Sequence, residues 1–212
     1  MTFKAAVVQT ASVPFNKQAT LEKVVAKIHE AAELGAKLIV FPEATISGYP
    51  KGSDFGARVG GRLPRGREEF LRYFNGAITV PGPEVDEIAM AAREAQAYVV
   101  IGVMEQEIGT LYCTALHFSP AGEMIGKHRK LMPTAVERLI WGYGDGSTLP
   151  VFNTPHGKMG TVICWENYMP LLRMAMYGKG IQLYCAPTAD DRDEWITSMR
   201  HIAMEGLSLI HI

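Results

Sequence analysis

One segment, Gly160-Thr161-Val162-Ile163-Cys164-Trp165-Glu166-Asn167-Tyr168-Met169-Pro170, organises the predicted fold. Its residues 161–163 are apolar or β-branched, which is typical of a short buried strand. The strand stops at Cys164, and Pro170 suits the first turn of a helix. A thiol at such a turn lies at the carboxyl edge of a sheet, where open α/β folds bind their ligands.

Cys164 has two interpretations from this segment alone. Helix N-terminal amides near the turn would favour the thiolate, which is the nucleophilic form of a cysteine. Most free cysteines, however, are small buried hydrophobic residues. Both interpretations stay open at this point.

Composition narrows the class of protein. The chain has 212 residues, 48% hydrophobic and 20% charged, which is ordinary for a globular protein with one sizeable core. A net charge of −1 gives no electrostatic reason to expect nucleic acid or an anionic membrane as a partner. Three cysteines without close spacing indicate neither a disulfide framework nor a zinc site. No apolar leader or membrane-length run is present, so we expect a cytoplasmic protein.

The first 66 residues predict a β-α-β unit followed by a long loop. A strand at 3–9, a helix capped by Asn16 or Thr20 and a buried strand at 38–41 argue for a sheet covered by helices. Glu43 follows the second strand directly, although most loop glutamates are simply solvated. The glycine-rich loop that begins near Tyr49 is long enough to be functional or mobile.

The rest of the chain alternates further helices and strands. The patterns predict helices at 67–75 and 84–96, a strand at 98–104, hairpins 111–118/124–128 and 151–153/159–163, a helix after Cys164 that has Pro170 in its first turn and runs to about 177, a strand at 181–185, and a last helix to about 205 capped by Asp190, Asp191 or Asp193. Lys130 ends a basic run, which usually marks a solvated surface, but it adjoins an apolar pair and a proline and is predicted to point inwards.

Three motifs resemble the nitrilase branch of the carbon–nitrogen hydrolase superfamily. They are Phe-Pro-Glu-Ala at 41–44, Lys-His-Arg-Lys-Leu-Met-Pro at 127–133 and Cys-Trp-Glu-Asn-Tyr-Met-Pro at 164–170. The resemblance implies a catalytic triad of Glu43, Lys130 and Cys164, with Glu137 as a second glutamate that positions the lysine or the substrate. It also implies an α-β-β-α sandwich that pairs into homodimers and longer spiral homo-oligomers.

The resemblance implies a nitrilase that needs no metal or organic cofactor and acts on a small-molecule nitrile. Cys164 would attack the nitrile carbon, Glu43 would act as base and acid, and Lys130 would stabilise developing charge. Trp165 and Tyr49 are expected to contact the substrate. The alternatives are an amidase of the same superfamily, a cyanide-hydrolysing enzyme, or an inactive fragment.

The last residues depart from the resemblance. It extends to Gly206, so we assign 1–206 as the domain and 207–212 as an unmatched tail. Members of the family continue into further strands and a helix, so the sequence predicts a domain that lacks its C-terminal elements. A chain of this kind is expected to be poorly soluble or inactive, because sheet edges would be left unpaired.

Overall fold

The computed structural model describes residues 2–61, 63–207 and 209–211. The strands in these residues are β1 (Lys4–Val7), β2 (Ala36–Val40), β3 (Tyr98–Glu107), β4 (Thr110–Phe118), β5 (Met124–Arg129), β6 (Val151–Thr154), β7 (Gly157–Thr161), β8 (Leu183–Cys185) and β9 (Leu209–His211). The α-helices are α1 (Lys17–Glu33), α2 (Pro64–Asn75), α3 (Pro83–Ala95), α4 (Pro170–Gly178) and α5 (Asp193–Glu205). Two 3₁₀ helices cover Ala135–Leu139 and Cys164–Tyr168.

The first sheet has the strand order β1-β2-β3-β4-β5. β1, β2 and β3 run parallel, and β3, β4 and β5 pair antiparallel, so β5 runs in the same direction as β2. Side chains alternate between the two faces of a strand. On one face, Ile39 and Ile101 pack against Val24 and Ile28 of α1 and Ile88 of α3. This face is therefore covered by two helices.

The second sheet has the strand order β6-β7-β8-β9. β6 and β7 form an antiparallel hairpin, whereas β7, β8 and β9 are parallel. Tyr184 of β8 packs against Met176 of α4 and against Trp195 and Met199 of α5. The outer face of this sheet is thus covered by helices as well.

The inner faces of the two sheets form a separate apolar core. Buried residues of β2 and β3 meet buried residues of β7 and β8 there: Leu38, Val40 and Val100 on one side, Met159, Leu183 and Cys185 on the other. The layers are therefore helix, sheet, sheet, helix. The predicted α-β-β-α sandwich is confirmed.

One local prediction is confirmed and another is wrong. The helix predicted to follow Cys164 is α4, which begins at Pro170; a short 3₁₀ helix precedes it, and Met169 between the two is extended (φ −97°, ψ 98°) because it precedes a proline. The aspartates predicted to cap α5 do not cap it. Its N-cap is Arg192, without a side-chain bond, and the Asp190 carboxylate binds the side chains of Arg192 and Trp165.

The tail assigned as 207–212 lies partly within the second sheet. Residues 209–211 form β9, which pairs parallel with β8 in the register Leu183↔Leu209, while Ser208 and Ile212 lie outside the described residues. The domain division at residue 206 stays a prediction. In the described part of the chain, no helix is both long and apolar enough to cross a bilayer.

Candidate active site

The four predicted catalytic residues lie together, where strands of both sheets end. Glu43 follows β2 and Lys130 follows β5 directly, and these two strands run in the same direction. Glu137 lies on the 3₁₀ helix Ala135–Leu139. Cys164 begins the 3₁₀ helix that follows β7 of the second sheet. The site therefore spans the boundary between the two sheets.

Lys130 lies at the centre of this cluster, and its side chain is fully buried. Its Nζ donates to Glu43 Oε1 over 2.7 Å and to Glu137 Oε2 over 2.9 Å. Burial by itself lowers the pKa of Lys130, but the adjacent carboxylates, Glu43 above all, raise that pKa above its ordinary value. The lysine is therefore a buried ammonium, as its apolar neighbours in the sequence predicted.

Glu137 is held by three donors besides its place on the 3₁₀ helix. The backbone N–H of Thr134 donates to Oε2 over 2.6 Å, and Lys130 donates to the same oxygen. The hydroxyl of Tyr49 donates to Oε1 over 2.6 Å. Burial and this hydrogen bond raise the pKa of Tyr49. Glu137 thus contacts the ammonium of Lys130, and its role in positioning the lysine or the substrate stays a prediction.

Cys164 has an unusual backbone for a residue with a side chain. Its φ is +50°, in the left-handed region, and its N–H donates to Pro187 O over 2.8 Å. The hydroxyl of Thr188 donates to its Sγ over 3.2 Å. Only 6% of Cys164 is exposed. A strained and constrained turn of this kind holds the sulfur in one direction.

The expectation that this turn favours the thiolate is wrong for the structure described. Burial raises the pKa of the Cys164 thiol well above its ordinary value, and the negative charge of Glu43 raises it further. The ammonium of Lys130 opposes both effects but is outweighed, since Glu43 and Glu137 neutralise it. The resting cysteine is a thiol, and a base is needed to ionise it.

Sequence reasoning missed two groups that hold Glu43. The backbone N–H of Ala189 donates to Glu43 Oε2 over 3.1 Å. Cys113, predicted to be a core residue, is indeed buried, but its Sγ also lies 3.5 Å from Glu43 Oε1. Ala189 and Thr188 come soon after β8, which pairs with β7. A short polar segment after a buried strand is the same signal that identified Glu43, and it could have identified this segment.

A cavity of about 430 Å³ opens beside Cys164 and Glu137. Both predicted substrate-contacting residues, Tyr49 and Trp165, line it. The Trp165 indole N–H donates to Asp190 Oδ2 over 2.9 Å, which fixes the ring at the cavity wall. Trp165, Tyr49 and Glu137 therefore line the same cavity as the thiol, and contact of Trp165 and Tyr49 with a substrate stays a prediction.

The two histidines that could have suggested a Cys–His pair have other partners. His128 is fully buried against Glu166, with Nε2 3.0 Å from Oε2. His201 lies on the surface of α5, where Nε2 is 3.9 Å from a Glu205 carboxylate oxygen. Within the described ranges 2–61, 63–207 and 209–211, no group of three or more His, Cys, Asp or Glu side chains is arranged to hold a metal ion.

The chain is similar to several known proteins. Its residues 4–206 match the family model described as carbon-nitrogen hydrolase. It is 63% identical over 204 residues to an aliphatic nitrilase of Sinorhizobium fredii (strain HH103), covering 96% of this chain and 66% of that protein. It is 62% identical to a nitrilase of Bradyrhizobium diazoefficiens, covering 97% and 64%. It is 58% identical to a bifunctional nitrilase/nitrile hydratase of Nicotiana tabacum, covering 97% and 59%. The chain thus spans slightly less than two thirds of the length of these relatives.

Solved structures show the same fold at lower identity. An amidase from Nesterenkonia sp. superposes with a TM-score of 0.74 at 20% identity, covering 98% of this chain and 74% of that one. A Saccharomyces cerevisiae protein of branch 10 of the nitrilase superfamily gives a TM-score of 0.74 at 24% identity, covering 95% and 71%. These two likenesses agree with the layered arrangement described above.

Proposed function

The chain belongs to the carbon–nitrogen hydrolase family, and we propose that the protein is a nitrilase with Cys164 as its nucleophile. The reaction converts a nitrile and two water molecules into a carboxylic acid and ammonia. The observation that carries the proposal is the buried contact of Lys130 with both Glu43 and Glu137, next to a thiol whose pKa is raised. Relatives 63% and 62% identical are named nitrilases, which supports nitriles over amides.

The charges of the cluster support Glu43 as the base. Two buried carboxylates, Glu43 and Glu137, face the single ammonium of Lys130. If Cys164 lost its proton to solvent, a further negative charge would be left in a poorly hydrated site, which is costly. Transfer of that proton to Glu43 leaves the total charge unchanged. Glu43 is therefore the general base for the attack.

The first half of the reaction forms a covalent intermediate. As Glu43 accepts the thiol proton, the sulfur of Cys164 bonds to the nitrile carbon and one C–N π bond breaks. Glu43 then gives the same proton to the nitrogen, which leaves a thioimidate on the sulfur. Lys130 donates hydrogen bonds in this region and stabilises the negative charge that develops on the nitrogen. Glu43 is protonated by the thiol and then loses this proton to the nitrogen, so its carboxylate is restored before the second half of the reaction.

The second half uses water twice. The first water adds to the thioimidate carbon, and Glu43 passes one of its protons to the nitrogen, which gives a tetrahedral intermediate with an OH and an NH₂ group. Glu43 then takes the hydroxyl proton and passes it to the NH₂ group, so that the C–N bond breaks, ammonia leaves and the carbonyl forms. The acyl-thioester that remains is hydrolysed by the second water, which gives the carboxylic acid and restores the thiol. If the tetrahedral intermediate loses sulfur instead of ammonia, the product is the amide. We expect amide as a minor product, and the tobacco relative is named for both activities.

The test is ammonia release from aliphatic, arylaliphatic and aryl nitriles, with cyanide and the matching amides measured alongside. The proposal expects acid and ammonia in equal amounts, no release by Cys164→Ala, and an adduct on Cys164 in peptide mass spectrometry. Faster hydrolysis of an amide than of its nitrile would identify an amidase instead. Release by Cys164→Ala at the parental rate would exclude the proposed nucleophile.

We also propose a homo-oligomer and a cytoplasmic setting. α4 and α5 expose apolar side chains on the outside of the sandwich, among them Leu171 (86% exposed), Met174 (64%) and Met204 (77%). Exposed apolar surface of this kind often marks a protein interface. Three cysteines are free thiols, which a reducing compartment preserves. Sedimentation of the protein beside a variant with Leu171 and Met174 changed to Ser tests the interface, since a monomeric parent would contradict it.

A further inference from the structure

Two buried, titratable side chains that the proposed reaction does not use, Glu166 and His128, lie beside the site. Both are fully enclosed, and Glu166 Oε2 is 3.0 Å from His128 Nε2. Removing charged groups from water is costly unless each finds partners of opposite charge and satisfied hydrogen bonds. The contacts of this pair therefore indicate what it does.

The carboxylate of Glu166 bonds to the backbone on both sides of the site. The N–H of Leu131, the residue after Lys130, donates to Oε1 over 2.5 Å. The N–H of Ile163, the residue before Cys164, donates to Oε2 over 2.8 Å. Leu131 follows the last strand of the first sheet and Ile163 follows a strand of the second. One carboxylate thus connects the backbone that carries the ammonium to the backbone that carries the thiol.

His128 is placed to donate from both ring nitrogens. Its Nδ1 lies 2.5 Å from the carbonyl oxygen of Thr148, which can only accept a hydrogen bond. Its Nε2 faces the Glu166 carboxylate, which also accepts two backbone N–H groups. Both ring nitrogens therefore face acceptors.

We propose that Glu166 is a positioning residue, whose carboxylate, paired with His128, fixes the Lys130 segment relative to the Cys164 turn. The proposal rests on the proposed function, in which these two residues act on the same substrate. Glu166 acts through backbone amides and through His128, and it contacts neither the ammonium nor the thiol directly in the bonds described above. Loss of the Glu166 carboxylate is therefore expected to displace Lys130 relative to Cys164 while both reacting side chains remain present.

The first test is Glu166→Gln. Glutamine has one accepting oxygen, so its NH₂ must face the N–H of Leu131 or of Ile163, and one backbone bond is lost. We expect kcat to fall about 100-fold with little change in KM, the size of effect that a displacement of about 1 Å produces. The rate of Cys164 alkylation by iodoacetamide should change in the same variant, which gives a second readout that needs no turnover.

Glu105→Gln is the matched control. Glu105 is equally buried, at 1% exposed, and it accepts from Lys127, Arg129 and Thr114. Its removal destabilises the first sheet but breaks no bond to the backbone of Leu131 or Ile163. We expect its kcat and its Cys164 alkylation rate to stay near the parental values. If both variants lose activity in proportion to their loss of unfolding free energy, Glu166 is only structural and the proposal fails.

Two His128 variants keep the test decisive even if Glu166→Gln does not fold. His128→Gln can still donate to the carboxylate, so we expect it to retain Cys164 alkylation and turnover. His128→Leu removes the donor and should behave like Glu166→Gln. Nitrogen NMR of the parent should show a proton on His128 Nε2, since a hydrogen bond to the Glu166 carboxylate requires one. An unprotonated Nε2, or equal behaviour of the Gln and Leu variants, would overturn the proposal. If instead Cys164→Ala still releases ammonia, it is the proposed function that fails, while the NMR result stands by itself.

Discussion

Replacing Glu43 with glutamine removes a negative charge from the site and keeps the length of the side chain. In the parent, Oε1 accepts from Lys130 Nζ over 2.7 Å and Oε2 accepts from the Ala189 N–H over 3.1 Å. Glutamine has only one accepting oxygen, so its NH₂ must face one of these donors. An unsatisfied buried donor costs about 1–3 kcal/mol, while Lys130 keeps its second carboxylate, Glu137. We expect the free energy of unfolding to fall by about 2 kcal/mol, which a domain stable by about 5–15 kcal/mol tolerates.

The same substitution changes Cys164 in two opposite ways. In the parent, burial and then the charge of Glu43 raise the pKa of the thiol, and Lys130 lowers it. A unit charge about 4 Å away contributes about 4 kcal/mol at an effective dielectric constant of about 20. That energy corresponds to a change of about 1000-fold in the thiolate population, an upper limit because solvent and nearby charges screen it. We expect a rise of at least about tenfold at neutral pH, whereas turnover falls by about 10²–10⁴ because the base is lost.

The assay pairs alkylation with turnover. Iodoacetamide labelling of Cys164, followed by peptide mass spectrometry, should be faster in Glu43→Gln than in the parent, while ammonia release from a nitrile is lost. Glu137→Gln is the control, since it also removes one carboxylate from Lys130 but leaves the base in place, and it should retain more turnover. Parental turnover in Glu43→Gln would show that another group is the base. If alkylation and turnover both fall, Glu43 acts through the fold and the reasoning is refuted.

Three further expectations follow from the site and its surroundings. Substoichiometric iodoacetamide should label Cys164 before the other two cysteines, which are at most 1% exposed, and preferential labelling elsewhere would contradict this. Asp190→Ala should free the Trp165 ring and raise KM by about tenfold with kcat little changed, as expected for a lost binding contact; initial-rate kinetics check this, and a fall in kcat alone would contradict it. Burial lowers the pKa of His117 to about 3, against an ordinary value of 6.5. The unfolded chain then binds more protons between these pH values, so the free energy of unfolding falls as pH decreases through that range. Urea titrations across this range should show a slope that His117→Gln reduces by up to about 1.4 kcal/mol per pH unit, and an unchanged slope would assign the effect to other groups.

The residue types of the site were predictable from sequence because each follows a buried strand. Lys130 comes directly after a half-buried strand and Glu43 comes three residues after a buried strand of the same sheet, while Cys164 comes after a strand of the other sheet. Strand directions follow from the order of helices and hairpins, so the three chain segments had to meet at one side of the sandwich. The four layers of the fold were predicted from the resemblance of the three motifs to a known family, since the residue patterns alone indicated only a sheet covered by helices.

The ionisation of the site was not predictable from sequence. A cysteine at a turn near a lysine is expected to favour the thiolate. The pKa of Cys164 depends instead on how deeply the thiol is buried and on the negative charge of Glu43. The end of β8 could have marked the segment that contains Ala189, but not its N–H as the group that holds Glu43, because nearly every residue has a backbone N–H. Aspartate is a residue type that often caps helices, but the carboxylate of Asp190 instead accepts hydrogen bonds from the side chains of Trp165 and Arg192. These outcomes depend on tertiary contacts between distant segments.

The position of the site across two sheets has a consequence for the newly made chain. Glu43 and Lys130 are 87 residues apart, and Glu43 and Ala189 are 146 apart, so the site closes only when distant parts of the chain have come together. Contacts of such long range are slow to form. Until then, Cys164 is an ordinary exposed thiol, more easily ionised than in the finished fold, where burial raises its pKa. Docking of the two sheets therefore shields the sulfur of Cys164 from oxidants and alkylating agents. The thiol is most exposed to such reactions during folding, before Glu43 is in place to act as its base.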